Sequence, residues 1–95
     1  MNIYRTQVRI IADVLQSARD LGSVDGIGVT AMLRRANLSH PRLMRILHDL
    51  VASGLLEMID SPRGGARYRI SDNGLEFLQA YSRFEDFAQA FGLRL

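Results

Sequence analysis

Seven arginines crowd the middle of the chain: Arg34, Arg35, Arg42, Arg45, Arg63, Arg67 and Arg69 all fall between residues 30 and 70, against only Asp49, Glu57 and Asp60. That stretch carries a surplus of four positive charges before His40 and His48 are counted. The flanks do not share it: residues 1–29 balance three arginines with three aspartates, and residues 71–95 set two arginines against four acids. A guanidinium offers five N–H donors in a fixed planar fork, which suits phosphate oxygens and the acceptor edge of guanine. Charge clustered in this way is the electrostatic footprint of polyanion binding. All twelve Lys-or-Arg positions are arginine, so every permanently charged basic side chain has that geometry.

Other chemistries find little support. Asp13, Asp20 and Asp25 are too scattered to act as paired catalytic carboxylates. Cysteine is absent, which removes disulfides, zinc–thiolate sites and thiol nucleophiles together. His40 and His48 lack a nearby third ligand, so they are expected to be surface side chains and not a metal site. No nucleophile–base pair or phosphate-cradling glycine loop is visible. The expectation is a binding protein and not an enzyme, with no cofactor and no metal.

The arginines need elements to present them. Residues 4–20 place Val8, Ile11, Val14, Leu15 and Ala18 on one face at three- and four-residue spacing, which predicts a first helix ending near Gly22. Residues 22–28 have the Gly and Asp content of a connection. Thr30 is the natural N-cap of a short helix over Ala31–Ala36, and Asn37 tolerates the left-handed conformation that often ends one. Ser39 opens the next helix, with Pro41 in its first turn, where a missing N–H costs nothing. Its apolar residues Leu43, Ile46, Leu47, Leu50 and Val51 occupy a sector of about 140°. Opposite lie Pro41, Arg45, His48 and Ala52, flanked by Arg42 and Asp49, and Gly54 supplies the stop. An apolar run over Leu55–Ile59, a turn at residues 60–65 and the alternation of Tyr68 and Ile70 with Arg67 and Arg69 predict a two-stranded hairpin. Ser71 then caps a last helix reaching about Phe91.

Length and composition bound the answer. Ninety-five residues, 10.7 kDa, 47% apolar with mean hydropathy near zero, support one domain spanning residues 1–95, mainly α with a small β-hairpin (α+β). The best N-terminal apolar stretch, Val8–Leu15, is broken by Arg9 and Asp13, so neither a membrane span nor a signal-peptide core is expected, and a cytoplasmic location is.

A short helix, a turn holding Leu38 and an amphipathic helix with a basic outer face are the anatomy of a helix-turn-helix, and the arginine-bearing hairpin adds a wing. Here the sequence resembles a known family. The runs RANLS, GLLE and YRISDNGLEFLQAY, in this order and spacing, are similar to archaeal winged helix-turn-helix proteins of the small chromatin and transcription-regulator type, over about residues 5–90. This chain departs from that pattern in carrying Arg where Lys is usual, His40 where an aromatic is common, and Pro41 in the recognition helix. The resemblance implies double-stranded DNA binding, as a transcription regulator or a nucleoid-associated protein, with dimerisation through an extended C-terminal helix in some members. Under that reading Ser39, His40, Arg42, Arg45 and His48 face the major groove, and Arg34, Arg35, Arg63, Arg67 and Arg69 hold the backbone. The competing expectation is a winged-helix protein–protein interaction module that leaves DNA alone.

The last helix is expected to do more than cover the core. Phe77, Tyr81, Phe84, Ala88, Phe91 and Leu95 recur at alternating spacings of four and three, a heptad seam, while Leu75 and Leu78 lie on another face. The twenty residues from Asp72 to Phe91 would span about 30 Å, longer than a small core needs. Residues 72–95 are therefore predicted to form a homodimerisation helix, preferably antiparallel, with Phe77, Tyr81, Phe84, Phe87, Ala88 and Phe91 at the interface.

Overall fold

The computed structural model describes residues 5–62 and 65–93, so Arg63, a candidate phosphate contact, and Leu95, the end of the proposed seam, lie outside the described residues. The elements run α1 (Gln7–Leu21), β1 (Ile27–Gly28), α2 (Val29–Ala36), α3 (His40–Ala52), β2 (Leu56–Asp60), β3 (Ala66–Ile70) and α4 (Asp72–Ala90). The strands form an antiparallel sheet in the order β1-β3-β2. This is the expected α+β plan of a winged helix, with one strand more than the sequence indicated.

That extra strand is two residues long, and its partner lies forty positions downstream: Ile27 pairs with Tyr68 and Gly28 with Arg67. Gly26 makes the pairing possible. Its φ is +77°, and a Cβ there would meet the Tyr68 carbonyl oxygen at 2.8 Å, so only glycine lets the two backbones approach. Because the chain leaves β1 straight into α2, that helix starts at Val29 with Gly28 as a cap lacking any side-chain bond, and Thr30 sits in its exposed first turn instead of capping it. The other helix ends follow the sequence. Asn37 is left-handed at φ 56°, and Ser39 and Ser71 accept the amides of Arg42 and Gly74.

Leu15, Met32, Leu43 and Leu47 are fully buried at the junction of α1, α2 and α3, with Leu56 and Tyr68 closing the sheet side and Leu78 and Tyr81 supplied by α4. The buried arc of α1 differs from the predicted face. Val8 is 41% exposed, whereas Ala12 and Ser17 are buried, because α2 and α4 pack on α1 from two sides. The Ser17 hydroxyl donates to the Asp13 carbonyl, which satisfies it in place.

Two junctions fix α3 relative to the rest. At its end, the amides of Gly54 and Leu55 return to the carbonyls of Val51 and Leu50 (3.1 and 2.9 Å), and Gly54 takes φ +80°, the paired bonds of a Schellman turn. The same turn receives α4: the Ser71 amide donates to the Leu55 carbonyl and its hydroxyl to that of Gly54, at 3.2 and 2.6 Å. One serine thus caps α4 and latches it to the end of α3. At the other side Arg5 donates to the carbonyls of Ala36 and Asn37, the free acceptors at the end of α2, and pairs with Asp13 of α1. No helix among the described residues is long and apolar enough to cross a membrane.

Candidate nucleic-acid interface

Helix α3 sorts its residues by face. Leu43, Ile46, Leu47 and Leu50 are buried, while His40, Pro41, Arg42, Arg45, His48, Asp49 and Ala52 are exposed. At about 100° per residue, Arg45 and Ala52 lie opposite the centre of the buried sector, with His48 towards the hairpin and Arg42 and Asp49 on the other edge. Ser39 sits at the entrance, where its hydroxyl accepts the Arg42 amide at 3.4 Å and so sets the start of the helix. Among the described residues, the guanidinium groups of Arg42 and Arg45, and of Arg34 near the end of α2, have no partner within the chain. They are three cations fixed at their stems by rigid helices and held out to solvent.

Three other arginines named from the sequence, Arg35, Arg67 and Arg69, are engaged by the protein itself. Arg67 donates from Nε to the Asp25 carbonyl and from Nη2 to that of Gly26 (2.9 and 2.8 Å), clamping the turn before β1 onto β3. Arg69 faces Glu57 across the β2–β3 register, with Nε 2.9 Å from Oε1, and reaches the Val24 carbonyl at 3.2 Å. Arg35 reaches Asp20 at 3.3 Å. The hydrogen bond from Arg19 to Asp20, aided by the charges of Arg19 and Arg35, holds that carboxyl below its usual range. Arg35, Arg67 and Arg69, expected to hold a phosphate backbone, thus already carry bonds within the chain. Arg67 is a structural clamp, and Arg35 and Arg69 would have to leave exposed ion pairs, which are individually weak. The sequence could not show this, because the acceptors of Arg67 are backbone carbonyls more than forty residues away.

A feature missed in the sequence borders this face. Met44, Leu47, His48, Val51, Ala52, Met58 and Tyr68 line an apolar groove of about 300 Å³ between α3 and the hairpin. Met58 pairs with Tyr68 in register, on the core side of the sheet, yet remains 56% exposed. Leu55–Ile59 is apolar almost throughout, so period-2 patterning gave no face for Met58.

The predicted seam of α4 divides along its length. Tyr81 and Ala88 are buried within the protomer and Phe77 packs against its core, so these three are already occupied by their own chain. Phe84, Phe87 and Phe91 are 55%, 65% and 68% exposed and share an arc of about 60°. The rings of Phe87 and Phe91 touch, with centroids 5.0 Å apart. An Arg9–Glu85 ion pair at 2.9 Å ties the middle of α4 to α1 just where the exposed aromatics begin. The helix itself stops at Ala90, next to the expected end at Phe91: Gly92, at φ +75°, and Leu93 return their amides to Gln89 and Ala88 in a second Schellman turn.

A helix pair joined by a four-step turn, followed by a hairpin braced on a third strand and a long closing helix, defines the winged helix-turn-helix class. The sequence profile of the winged helix-turn-helix family matches residues 4–89, and the chain belongs to that family. Among solved structures, Sso10a-2, a DNA-binding protein from Sulfolobus solfataricus, superposes with a TM-score of 0.77 at 18% identity, covering 92% of this chain and 85% of that one. The type III plasmid segregation protein TubR superposes at 0.61 with 19% identity, covering 87% of this chain and 92% of that one. At these identities the likeness is one of fold. Among proteins with curated descriptions, none matches this sequence.

Proposed function

We propose that this protein binds double-stranded DNA as a homodimer, inserting α3 into the major groove, and acts without catalysis as a transcription regulator or nucleoid-associated protein. The carrying observation is that, among the described residues, Arg34, Arg42 and Arg45 stand exposed and unpaired on the helix-turn-helix while Arg67 bonds to carbonyls of its own chain. A solvated helix face has no need to keep guanidinium groups apart from the acids that neutralise others nearby. The two structural neighbours, a DNA-binding protein and a plasmid segregation protein, support the same reading. Dimerisation is supported by the Phe84, Phe87 and Phe91 stripe, an apolar patch of the kind that marks an interface.

Titration of a duplex with the protein across a salt series tests this directly. Three unpaired arginines predict a slope of log K against log salt near −3 per protomer, at about −0.9 per neutralised phosphate. The groove between α3 and the hairpin favours a second reading, a protein-interaction winged helix that uses the same surface. That reading predicts no duplex binding at moderate salt.

A further inference from the structure

Asp49 stands where a carboxylate is unfavourable on three counts. It lies in the last turn of α3, where the helix dipole disfavours an anion. Among the described residues its carboxylate has no hydrogen-bond or ion-pair partner; Arg45 is one turn earlier, but an arginine preceding an acid at this spacing is the weaker order. It is exposed on the same side of the helix as Arg42 and Arg45, so any phosphate drawn to those arginines would repel it. Glu57, by contrast, another acid of the basic stretch, is neutralised by Arg69. Among the described residues, no hydrogen bond or ion pair within the chain engages the Asp49 carboxylate.

The major groove offers that carboxylate a partner. Cytosine presents there an N4 amine donor, the group a carboxylate accepts from. Adenine's N6 donor sits beside the N7 acceptor, and guanine and thymine present acceptors that repel an anion. We propose that Asp49 is a specificity-determining residue, accepting from the N4 amine of a cytosine one turn of α3 away from the base contacted by Arg45. Four residues of helix advance about 6 Å, and base pairs stack about 3.4 Å apart. The cytosine therefore lies one to two base pairs from a guanine bound by Arg45. The carboxylate contributes discrimination and lowers affinity for duplexes that lack the amine. This inference rests on the DNA-binding reading above and adds the chemistry of the preferred site.

The test is selection of bound sequences from a randomised duplex pool by the wild type, Asp49→Ala and Asp49→Asn, with thermal unfolding of each protein. The wild type should enrich cytosine at one position. Asp49→Ala should make that position indifferent, a loss of about five- to a hundredfold in discrimination, while binding random duplex at least as tightly as wild type. Asp49→Asn should shift the same position towards adenine, because an amide both donates to N7 and accepts from N6. Both variants should unfold at or above the wild-type temperature. Identical base preferences in all three proteins would overturn the proposal, as would a wild type without sequence preference or enrichment of a base other than cytosine at the dependent position. A wild type that shows no salt-dependent binding to any duplex would instead refute the DNA-binding reading itself.

Discussion

Replacing Arg67 with alanine separates structural arginines from binding arginines. The side chain makes two charge-assisted hydrogen bonds to the turn before β1: one to the exposed Asp25 carbonyl, and one, partly buried, to Gly26. A hydrogen bond from a charged group contributes about 1.5–3 kcal/mol, less where water replaces it. With the Asp25 carbonyl free to bind water and the Gly26 carbonyl not, the loss should be about 2 kcal/mol. For a domain of this size, 1 kcal/mol shifts Tm by about 4–8 °C, so Arg67→Ala should lower Tm by about 8–16 °C. The assay is thermal unfolding followed by far-UV circular dichroism, paired with duplex binding well below both transitions. Arg67→Ala should bind within about twofold of wild type, since Nε and Nη2 are committed to the carbonyls of Asp25 and Gly26. Arg45→Ala should do the reverse, leaving Tm nearly unchanged, as expected for an exposed site, and costing about 1–3 kcal/mol of binding if it pairs with a base edge. If Arg67→Ala unfolds like the wild type and loses as much affinity as Arg45→Ala, the clamp is wrongly assigned and the wing arginine belongs to the interface.

Three further outcomes are expected. Gly74→Ala should destabilise by about 2–4 kcal/mol, because a Cβ there would fall inside the contact distance of the Leu55 carbonyl oxygen and the Ile70 side chain; denaturant unfolding measures this, and an unchanged midpoint would show that the α3–β2 turn yields easily. Phe91→Glu should convert a dimer into a folded monomer in sedimentation while weakening DNA binding through loss of linked half-sites; an unchanged mass would leave the aromatic stripe without a role in assembly. Asp20 has a folded pKa below its unfolded one, so its contribution to stability is present above the unfolded value and is lost as pH falls through the folded value. Asp20→Asn should therefore match the wild type in strong acid and fall slightly below it at neutral pH, which chemical unfolding at a series of pH values would record.

Most of the helical architecture was legible in the sequence because its determinants are local. Ser39, Ser71, Asn37 and Gly54 act on amides and carbonyls within a few residues of themselves, and the apolar spacing of α3 fixes both its buried face and the outward position of Arg42 and Arg45. What the tertiary structure decided is what those faces meet. Strand β1 exists only because β3 offers it a partner and Gly26 lets the backbones close, and that pairing moved the start of α2 from Ala31 to Val29 and its cap from Thr30 to Gly28. The heptad spacing of α4 gave one continuous stripe, but α1 and the sheet cover Phe77 and Tyr81 while leaving Phe84, Phe87 and Phe91 uncovered. The charge surplus between residues 30 and 70 belongs to the sequence alone. Which of its arginines remain available depends on carbonyls and carboxylates brought from distant positions, since a guanidinium takes whichever acceptor the fold places within reach.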